Sequence, residues 1–303
     1  MSLDRSVFRA VPFMMAAVFL CTLPESSATA QPGRTGPLFI VGGGTQPKAL
    51  VQEFVKLAGT ARAAQIVVFG MASVDGLKSG EAKAEDFRKL GARAQNIWVT
   101  RAQADLDSVV HLLDSATGVW FGGGDQNKLT AALRGSKLEK AIYARHAAGA
   151  VVGGTSAGAA VISTVMITGT ELLPVRDTTE AWTRVKRGTV QTDTGFAFLP
   201  DVVLDQHFLR RKRQNRLLSL VLADAPHLGA GIDEGTALIV ESSGLWRIMG
   251  ASAVLIVDAR DATRTSATDP VLGASGVRMH LLPDGATFDV KSGKATLLQP
   301  TRK

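Results

Sequence analysis

Residues 150–162 read AVVGGTSAGAAVI, an apolar run that passes through a glycine-flanked serine into small apolar residues. The residues before Ser156 are typical of a buried strand, and those after it favour a helix. A strand, a G-x-S-x-G turn and a helix in succession are typical of a nucleophile elbow, which exposes a serine hydroxyl at the edge of an α/β sheet. The segment therefore predicts an α/β fold with Ser156 as a candidate nucleophile.

The glycines around this serine fit that interpretation. Gly154 and Gly158 remove side chains on both sides of Ser156, which allows a sharp turn. At the start of the helix, the amide of Ala157 is placed to stabilise an oxyanion. Serine is also a favoured helix N-cap, so a purely structural role for Ser156 stays open.

Outward from this segment, short apolar runs alternate with longer amphipathic ones. Strands are expected at 38–41, 65–70, 96–100, 119–121 and 150–153, and helices at 47–57, 81–90, 103–113, 127–133 and 137–148. This alternation predicts a mostly parallel sheet flanked by helices on both faces. Apolar runs at 237–241, 245–249 and 253–257 make the C-terminal part strand-rich.

The first 30 residues have the pattern of a signal peptide. Arg5 and Arg9 precede an apolar run over 11–23, and the small residues of Ala28-Thr29-Ala30 predict cleavage after Ala30. The run falls short of the roughly 20 residues that a membrane span requires, so no integral span is expected in the mature chain. We expect an exported protein, periplasmic or extracellular, with residues 31–303 forming a single α/β domain. Cys21 is the only cysteine, so neither disulfides nor thiolate zinc sites are expected after cleavage.

The charge balance does not by itself select a partner. A net charge of +7 is compatible with anionic partners, but it also fits a soluble secreted protein. Only 6% of residues are aromatic, which disfavours a stacking platform for nucleic acid. The triple glycine at 42–44 lacks the G-x-G-x-x-G pattern, so no dinucleotide cofactor is expected, and a tight strand-to-helix turn accounts for it.

A nucleophilic serine requires a base and a group that orients the base. Of the five histidines, His207 follows the apolar run 202–204, at the expected carboxyl end of a strand. The other four histidines lie in predicted helices, a late strand or a proline loop: His111, His146, His280 and His227. Asp233 and Glu234 follow another short strand and are not separable as the orienting acid, and both also fit a solvated turn. The order serine, histidine, acid differs from that of the α/β-hydrolases.

Two polar segments flank these candidates. Gly122, Gly123 and Gly124 precede Asp125-Gln126 at the end of a predicted strand, where a backbone amide can donate to a ligand. A basic cluster at 210–213 and Arg216 follows His207. Guanidinium groups there can hold substrate carboxylates or Glu234, although a solvated helix face explains the charges equally well.

Taken together, the motifs resemble those of cyanophycinases, serine exopeptidases of the group that contains dipeptidase E. The motifs, which extend over the mature chain, are FIVGGG at 39–44, GGDQ at 123–126, GGTSAGA at 153–159, DQHF at 205–208 followed by Arg211, Arg213 and Arg216, and GIDE at 231–234. The resemblance implies that Ser156 is the nucleophile, His207 the base and Glu234 the orienting acid. We expect the amide of Ala157 and a glycine amide, assigned to Gly124 with Gly123 as the alternative, to form the oxyanion hole. The resemblance also implies a pocket lined by Gln126, Asp205, Gln206, Arg211, Arg213 and Arg216.

Family members degrade cyanophycin, a polyaspartate that carries arginine on each β-carboxyl, to β-aspartyl-arginine dipeptides. They are commonly homodimers and use no metal or other cofactor, and the same is expected here. Arg210, Lys212 and Gly122 depart from the usual motifs, and the loop 176–187 matches nothing recognisable. Another aspartyl-peptide-specific peptidase of the same fold, or a non-catalytic peptide-binding protein, therefore stays open.

Overall fold

The computed structural model describes residues 35–172, 184–224 and 226–298. The strands are β1 Leu38–Val41, β2 Gln65–Phe69, β3 Arg93–Ile97, β4 Gly118–Phe121, β5 Val151–Thr155, β6 Val165–Glu171, β7 Val190–Thr194, β8 Val203–Gln206, β9 Leu228–Ile232, β10 Thr236–Val240, β11 Leu245–Gly250, β12 Ala253–Asp258, β13 Thr263–Arg264, β14 Ala274–Ser275, β15 Arg278–Pro283, β16 Thr287–Asp289 and β17 Lys294–Thr296. The helices are α1 Lys48–Leu57, α2 Gly76–Arg88, α3 Asp107–Val110, α4 Gln126–Leu133, α5 Lys137–Ala147, α6 Ala157–Ala160 and α7 Gln214–Ala223.

The larger sheet joins a parallel half to an antiparallel half. Its order in the described part of the chain is β17-β16-β11-β10-β1-β5-β4-β2-β3. Strands β1, β5, β4, β2 and β3 run parallel, whereas β10, β11, β16 and β17 continue the sheet antiparallel from β1. Because β1, β5 and β4 are parallel neighbours, the loops that follow them emerge at one edge.

A second sheet brings the later strands to the same region. Its order is β15-β12-β9-β8-β6-β7, with β6, β8 and β9 parallel. Strands β8 and β9 pair from Val203 opposite Gly229 to Gln206 opposite Ile232. The residues after β8 and after β9 therefore leave the sheet side by side, which brings His207 close to Glu234.

Aromatic side chains pack one face of the parallel half of the larger sheet against two helices. On one face, Phe39 and Trp120 pack against Phe54 of α1 and Phe87 of α2, with ring centroids 4.9–6.3 Å apart. These four rings are almost fully buried. Aromatic pairs at such separations add to the free energy of area burial. The loops that follow these strands thus start from fixed positions.

The predicted fold class is confirmed, but several predicted elements differ locally. The strand expected at 96–100 starts three residues earlier, as β3, and the helix expected at 81–90 starts five residues earlier, as α2. Residues 103–113 do not form one helix: 3₁₀ turns at Gln103–Asp105 and His111–Leu113 flank the four-residue α3. Leu106 takes extended angles, φ −75° and ψ 127°, which interrupt the helix. The helix after Ser156 is also only four residues long, because the chain turns away toward β6. The second sheet as a separate layer was not predicted.

Candidate active site

Three side chains form a continuous hydrogen-bonded chain at the edge where β1, β5 and β8 end. The Nε2 atom of His207 lies 2.9 Å from the Oγ atom of Ser156. The Nδ1 atom of the same ring lies 2.6 Å from Oε1 of Glu234. A carboxylate can accept only from a protonated Nδ1, so this contact leaves Nε2 as the acceptor for the serine hydroxyl. The arrangement can remove a proton from Ser156 as its oxygen attacks an electrophile.

Ser156 sits in a strained turn that close packing holds in place. Its backbone angles, φ 54° and ψ −111°, lie outside the regions usual for a residue with a side chain. Its amide donates to the carbonyl of Val41 on the neighbouring strand, at 3.1 Å. A methyl group on Gly158 would overlap the backbone of Phe121, and one on Gly154 would overlap the carbonyl of Gly158. The glycines of the motif are therefore required by contact with β4 as well as by the turn.

His207 also takes left-handed backbone angles, with a φ of 48°. Its amide donates to the carbonyl of Gly42 at 2.6 Å, and the amide of Phe208 donates to the carbonyl of Ile232 at 3.2 Å. These two bonds tie the residues after β8 to the ends of β1 and β9. The imidazole is thus directed toward the serine by backbone contacts from two neighbouring strands.

The glycines after β1 form a wall of the site, a role that sequence reasoning missed. A methyl group on Gly43 would overlap the imidazole ring of His207. On Gly44 it would lie 2.8 Å from Cβ of Glu234. Both glycines have positive φ, 105° and 69°. The position of this triple glycine at the end of the central strand was the available signal, but the sequence alone does not show which side chains approach it.

Gly43→Ala should therefore lower activity by displacing the His207 ring. A shift of about 1 Å in a reacting group costs on the order of 10²-fold in rate, so kcat/KM should fall by about that factor. Gly149→Ala is the matched control: its φ of 100° imposes similar backbone strain, but nothing lies within 4 Å of the added methyl group. Equal losses of activity in the two variants would contradict the assigned contact with His207.

The structure separates the two carboxylates that the residue pattern left equivalent. Glu234 contacts His207, whereas Asp233 faces away from it. Asp233 accepts hydrogen bonds from the amide of Arg210 at 2.9 Å and from Oγ of Ser252 at 2.7 Å. Asp233 is buried and holds the loop after His207 against the turn before β12. The two neighbouring acids thus have different surroundings.

The surroundings of His207 favour its neutral form. Burial lowers the pKa of His207 below its ordinary value of 6.5, the hydrogen bond with Glu234 opposes this shift, and the positive charge of Arg211 adds to the lowering. The side chain of His207 is 11% exposed. A neutral imidazole is the state that can accept the proton of Ser156.

The acid limb of log kcat/KM against pH should accordingly have its midpoint below 6.5. Removing the positive charge with Arg211→Gln favours the imidazolium, so the midpoint should move to higher pH. Lys212→Gln, an exposed charge on the same loop, is the control and should move it less. The measurement is the pH profile of kcat/KM for the three proteins. A downward shift in Arg211→Gln would contradict the assigned electrostatics.

The residues around His207 expected to line a pocket are held largely by one another. Asp205 and Arg216 are both buried and form a bidentate ion pair, with Nε of Arg216 2.7 Å from Oδ2. Arg213 donates through Nη1 to the carbonyl and Oε1 of Gln206, at 2.8 and 2.9 Å. These contacts fix the residues that lead into His207. A contact between the substrate and Asp205, Gln206, Arg211, Arg213 or Arg216 stays a prediction. The observed contacts of Asp205, Gln206, Arg213 and Arg216 are with one another, and they position the chain that leads into His207.

Gln126, which is also expected to line the pocket, is likewise held by a contact within the protein. Its side chain is buried, and Nε2 donates to the carbonyl of Ile167 on β6 at 2.6 Å. This bond connects the start of α4 to the second sheet. Its predicted contact with substrate stays a prediction.

Backbone amides without an acceptor among the described residues lie near the serine. Among hydrogen bonds between described residues, none uses the amide of Ala157, Gly123 or Gly124. A methyl group on Gly123 would lie 3.5 Å from Cβ of Ser156, whereas one on Gly124 would overlap the backbone of Ala72. Gly123 is therefore the glycine beside the nucleophile, and the assignment of the glycine donor to Gly124 or Gly123 stays a prediction. Unpaired amides at this place suit a developing negative charge.

Two further features concern metals and membranes. Within the ranges described above, no three His, Cys, Asp or Glu side chains are grouped to bind a metal ion. The same ranges contain no helix of the length and apolar character needed to cross a bilayer. The predicted signal peptide, its cleavage site and residues 176–183 of the unmatched loop lie outside the described residues.

Known proteins are similar to this chain in sequence and in fold. The profile of peptidase family S51 matches residues 38–248. A cyanophycinase from Synechococcus elongatus is 33% identical over 283 aligned residues, covering 89% of this chain and 84% of that protein. One from Nostoc sp. (strain PCC 7120 / SAG 25.82 / UTEX 2576) is 31% identical over 284 residues, covering 88% and 91%. The crystal structure of a peptidase from an acI-B1 Actinobacterium superposes with a TM-score of 0.59 at 22% identity, covering 80% of this chain and all but 1% of its own.

The chain belongs to peptidase family S51. It is a serine-type peptidase, and the resemblance to cyanophycinases that the motifs indicated is confirmed over most of the chain.

Proposed function

We propose that the protein hydrolyses cyanophycin to β-aspartyl-arginine dipeptides, with Ser156 as nucleophile, His207 as general base and Glu234 as the acid that orients His207. The observation that supports these roles is the hydrogen-bonded chain from Ser156 through His207 to Glu234, at 2.9 and 2.6 Å. Glu234 accepts a hydrogen bond from Nδ1 of His207, so the ring proton stays on Nδ1. The Nε2 atom is then free to accept the proton of Ser156.

In the acylation step, Oγ of Ser156 attacks the carbonyl carbon of the scissile peptide bond while its proton passes to Nε2 of His207. The resulting imidazolium is stabilised by the carboxylate of Glu234. When the carbon–nitrogen bond breaks, His207 returns the proton to the leaving amine. Water then attacks the acyl-enzyme, losing a proton to His207, and Ser156 is released with its own proton restored.

The negative charge that develops on the carbonyl oxygen requires donors near Ser156. We assign these to the amide of Ala157 and to the glycine loop after β4, where Gly123 lies beside Ser156 and Gly124 is the donor assigned from the sequence. Removing one such donor in other serine enzymes costs roughly 10²–10³-fold in kcat. Because the donors are backbone amides, their alignment depends on the packing of the turns that carry them.

The substrate is supported by the relatives and by the chemistry around His207. Proteins called cyanophycinase are 31–33% identical to this chain over most of its length. Arg211 and Arg213 bring positive charge close to His207. Guanidinium groups pair with carboxylates in bidentate geometry, and cyanophycin presents a carboxylate on every arginine.

A substrate comparison tests this function directly. The protein is incubated in parallel with cyanophycin, an α-aspartyl dipeptide and unbranched polyaspartate, and soluble products are identified by mass spectrometry. We expect β-aspartyl-arginine from cyanophycin at a rate well above cleavage of the other two. Cleavage of the α-aspartyl dipeptide with intact cyanophycin would show a different aspartyl-peptide specificity. No cleavage of any of them would contradict the proposed reaction.

We further propose that the enzyme is exported and acts as a homodimer. Export is supported by the signal-peptide pattern of residues 1–30, and it would place the enzyme where released polymer can be scavenged. The homodimer is supported by the family resemblance. N-terminal sequencing of protein secreted by its native cell should begin at Gln31, and light scattering should give twice the chain mass. A retained leader or a monomeric mass would contradict the respective proposal.

A further inference from the structure

A small cavity lies next to the nucleophile on the face of the larger sheet that α2 covers. Its volume is about 130 Å³, and it is lined by Val68, Gly70, Ser79, Gly80, Lys83, Trp120, Gly122, Gly123 and Thr155. Gly123 and Thr155 are shared with the surroundings of Ser156, since a methyl group on Gly123 would lie 3.5 Å from Cβ of Ser156. A group bound in this cavity would therefore lie beside the loop and strand end that flank Ser156.

Lys83 is the residue with a positive charge among those that line this cavity. Its ammonium contacts Oε1 of Gln46 at 3.0 Å and Oδ2 of Asp86 at 3.2 Å. Two of its three N–H groups are thereby used, and the third has no acceptor among the described residues. The side chain is only 17% exposed, whereas that of Asp86 is 50% exposed, so the counter-charge lies on the solvent side. Burial lowers the pKa of Lys83, and an anion in the cavity would offset that shift.

Trp120 also lines this cavity, and its indole carries a second donor. Trp120 is 1% exposed, and its Nε1 atom has no hydrogen-bond partner within the described parts of the chain. The Nζ atom of Lys83 lies 5.7 Å from the centre of the Trp120 ring. A buried N–H group without an acceptor is costly, so such groups commonly mark a place where a ligand or water accepts.

We propose that this cavity is a subsite for a carboxylate of the substrate and that Lys83 determines the specificity for it. The proposal rests on the proposed function, because that function defines which carboxylates are present. Two sources are available in a β-aspartyl-arginine unit: the α-carboxylate of the aspartyl residue and the α-carboxylate of the arginine. A carboxylate fits the measured volume, accepts hydrogen bonds from ammonium and indole donors, and carries the opposite charge to Lys83.

The test measures binding and does not require turnover. Titration calorimetry compares three ligands: the β-aspartyl-arginine dipeptide, its aspartyl α-carboxamide and its arginine carboxamide. The proteins are the unsubstituted chain, Lys83→Met and Lys78→Met. Methionine keeps an unbranched stem against Trp120 while removing the charge. Lys78 is exposed on the same helix and serves as the matched control. If Lys83→Met has a lowered Tm, Lys83→Gln provides the same comparison.

Lys83→Met should raise the Kd of the dipeptide by about 10- to 100-fold, the range for a lost charge-assisted hydrogen bond. Lys78→Met should leave it unchanged. For one of the two carboxamides, the Kd with the unsubstituted protein should equal the Kd of the dipeptide with Lys83→Met. The Lys83→Met substitution should not raise the Kd of that carboxamide any further. The amide that behaves in this way identifies the carboxylate.

Three results would overturn the subsite. The first is an equal loss of affinity for all three ligands in Lys83→Met, and the second is no loss of affinity for the dipeptide in that variant. The third is no binding of the dipeptide to the unsubstituted protein. Failure of the proposed function would give a different set of results. In that case cyanophycin would not be cleaved, although the carboxylate-dependent effect of Lys83 would persist. Cleavage of cyanophycin without that effect would leave the function standing and remove the subsite.

Discussion

Ser156→Ala should lower kcat for dipeptide release from cyanophycin by about 10⁶-fold, the scale on which other serine hydrolases lose rate without their nucleophile. The loss is this large because the hydroxyl oxygen forms the covalent bond in the proposed reaction. Folding should be unaffected: alanine accepts the φ of 54° no worse than serine, and the Ser156 amide keeps its bond to Val41. The Tm should stay within about 3 °C. Single-turnover product formation and thermal unfolding are the two measurements.

Ser243→Ala provides the control for this substitution. Ser243 lies in the exposed turn between β10 and β11, where its Oγ accepts the amide of Leu245 at 3.3 Å. Its replacement should leave kcat unchanged. Retention of more than about a thousandth of the activity in Ser156→Ala would mean that another group attacks the substrate.

Glu234→Gln should lower kcat by about 10⁴-fold, as the equivalent change does in a serine protease triad. Glutamine nearly preserves the shape of the side chain, but its amide can donate to Nδ1 of His207 and so favour the tautomer that is protonated on Nε2. That tautomer cannot accept the proton of Ser156. The stabilising negative charge beside the imidazolium is lost as well. Steady-state kinetics at the pH optimum of the unsubstituted enzyme measure the effect.

Asp233→Asn is the neighbouring comparison. Asp233 holds the amide of Arg210 and the hydroxyl of Ser252, so its replacement should cost stability, about 1–3 kcal/mol in the free energy of unfolding. Its effect on kcat should stay below about tenfold. A larger rate loss in Asp233→Asn than in Glu234→Gln would reverse the assignment of the two carboxylates.

Local patterns were sufficient to predict the elbow and the strands around it. The expected strand at 38–41 coincides with β1, and the expected helix at 47–57 differs from α1 by one residue. The apolar run before Ser156 ends in the predicted turn. These features depend on hydrophobic periodicity and on glycines within a few residues of one another, which a single sequence displays directly.

Features that depend on distant contacts were not accessible in the same way. The role of Gly43 follows from the approach of His207, which lies 164 positions later in the chain. The interior location of Asp205 follows from its pairing with Arg216 across the start of α7. A charge run looks the same in sequence whether its members face solvent or a buried carboxylate. The separation of Asp233 from Glu234 likewise required the geometry of two strand ends.

The most direct test of whether His207 activates Ser156 is covalent labelling of this serine. The protein is treated with a small fluorophosphonate, digested and examined by mass spectrometry, alongside His207→Ala as a variant that lacks the base. We predict a single adduct on the peptide that contains Ser156 and a greatly reduced labelling rate in His207→Ala. No adduct on Ser156, or labelling at the same rate without His207, would contradict the claim that His207 activates this serine.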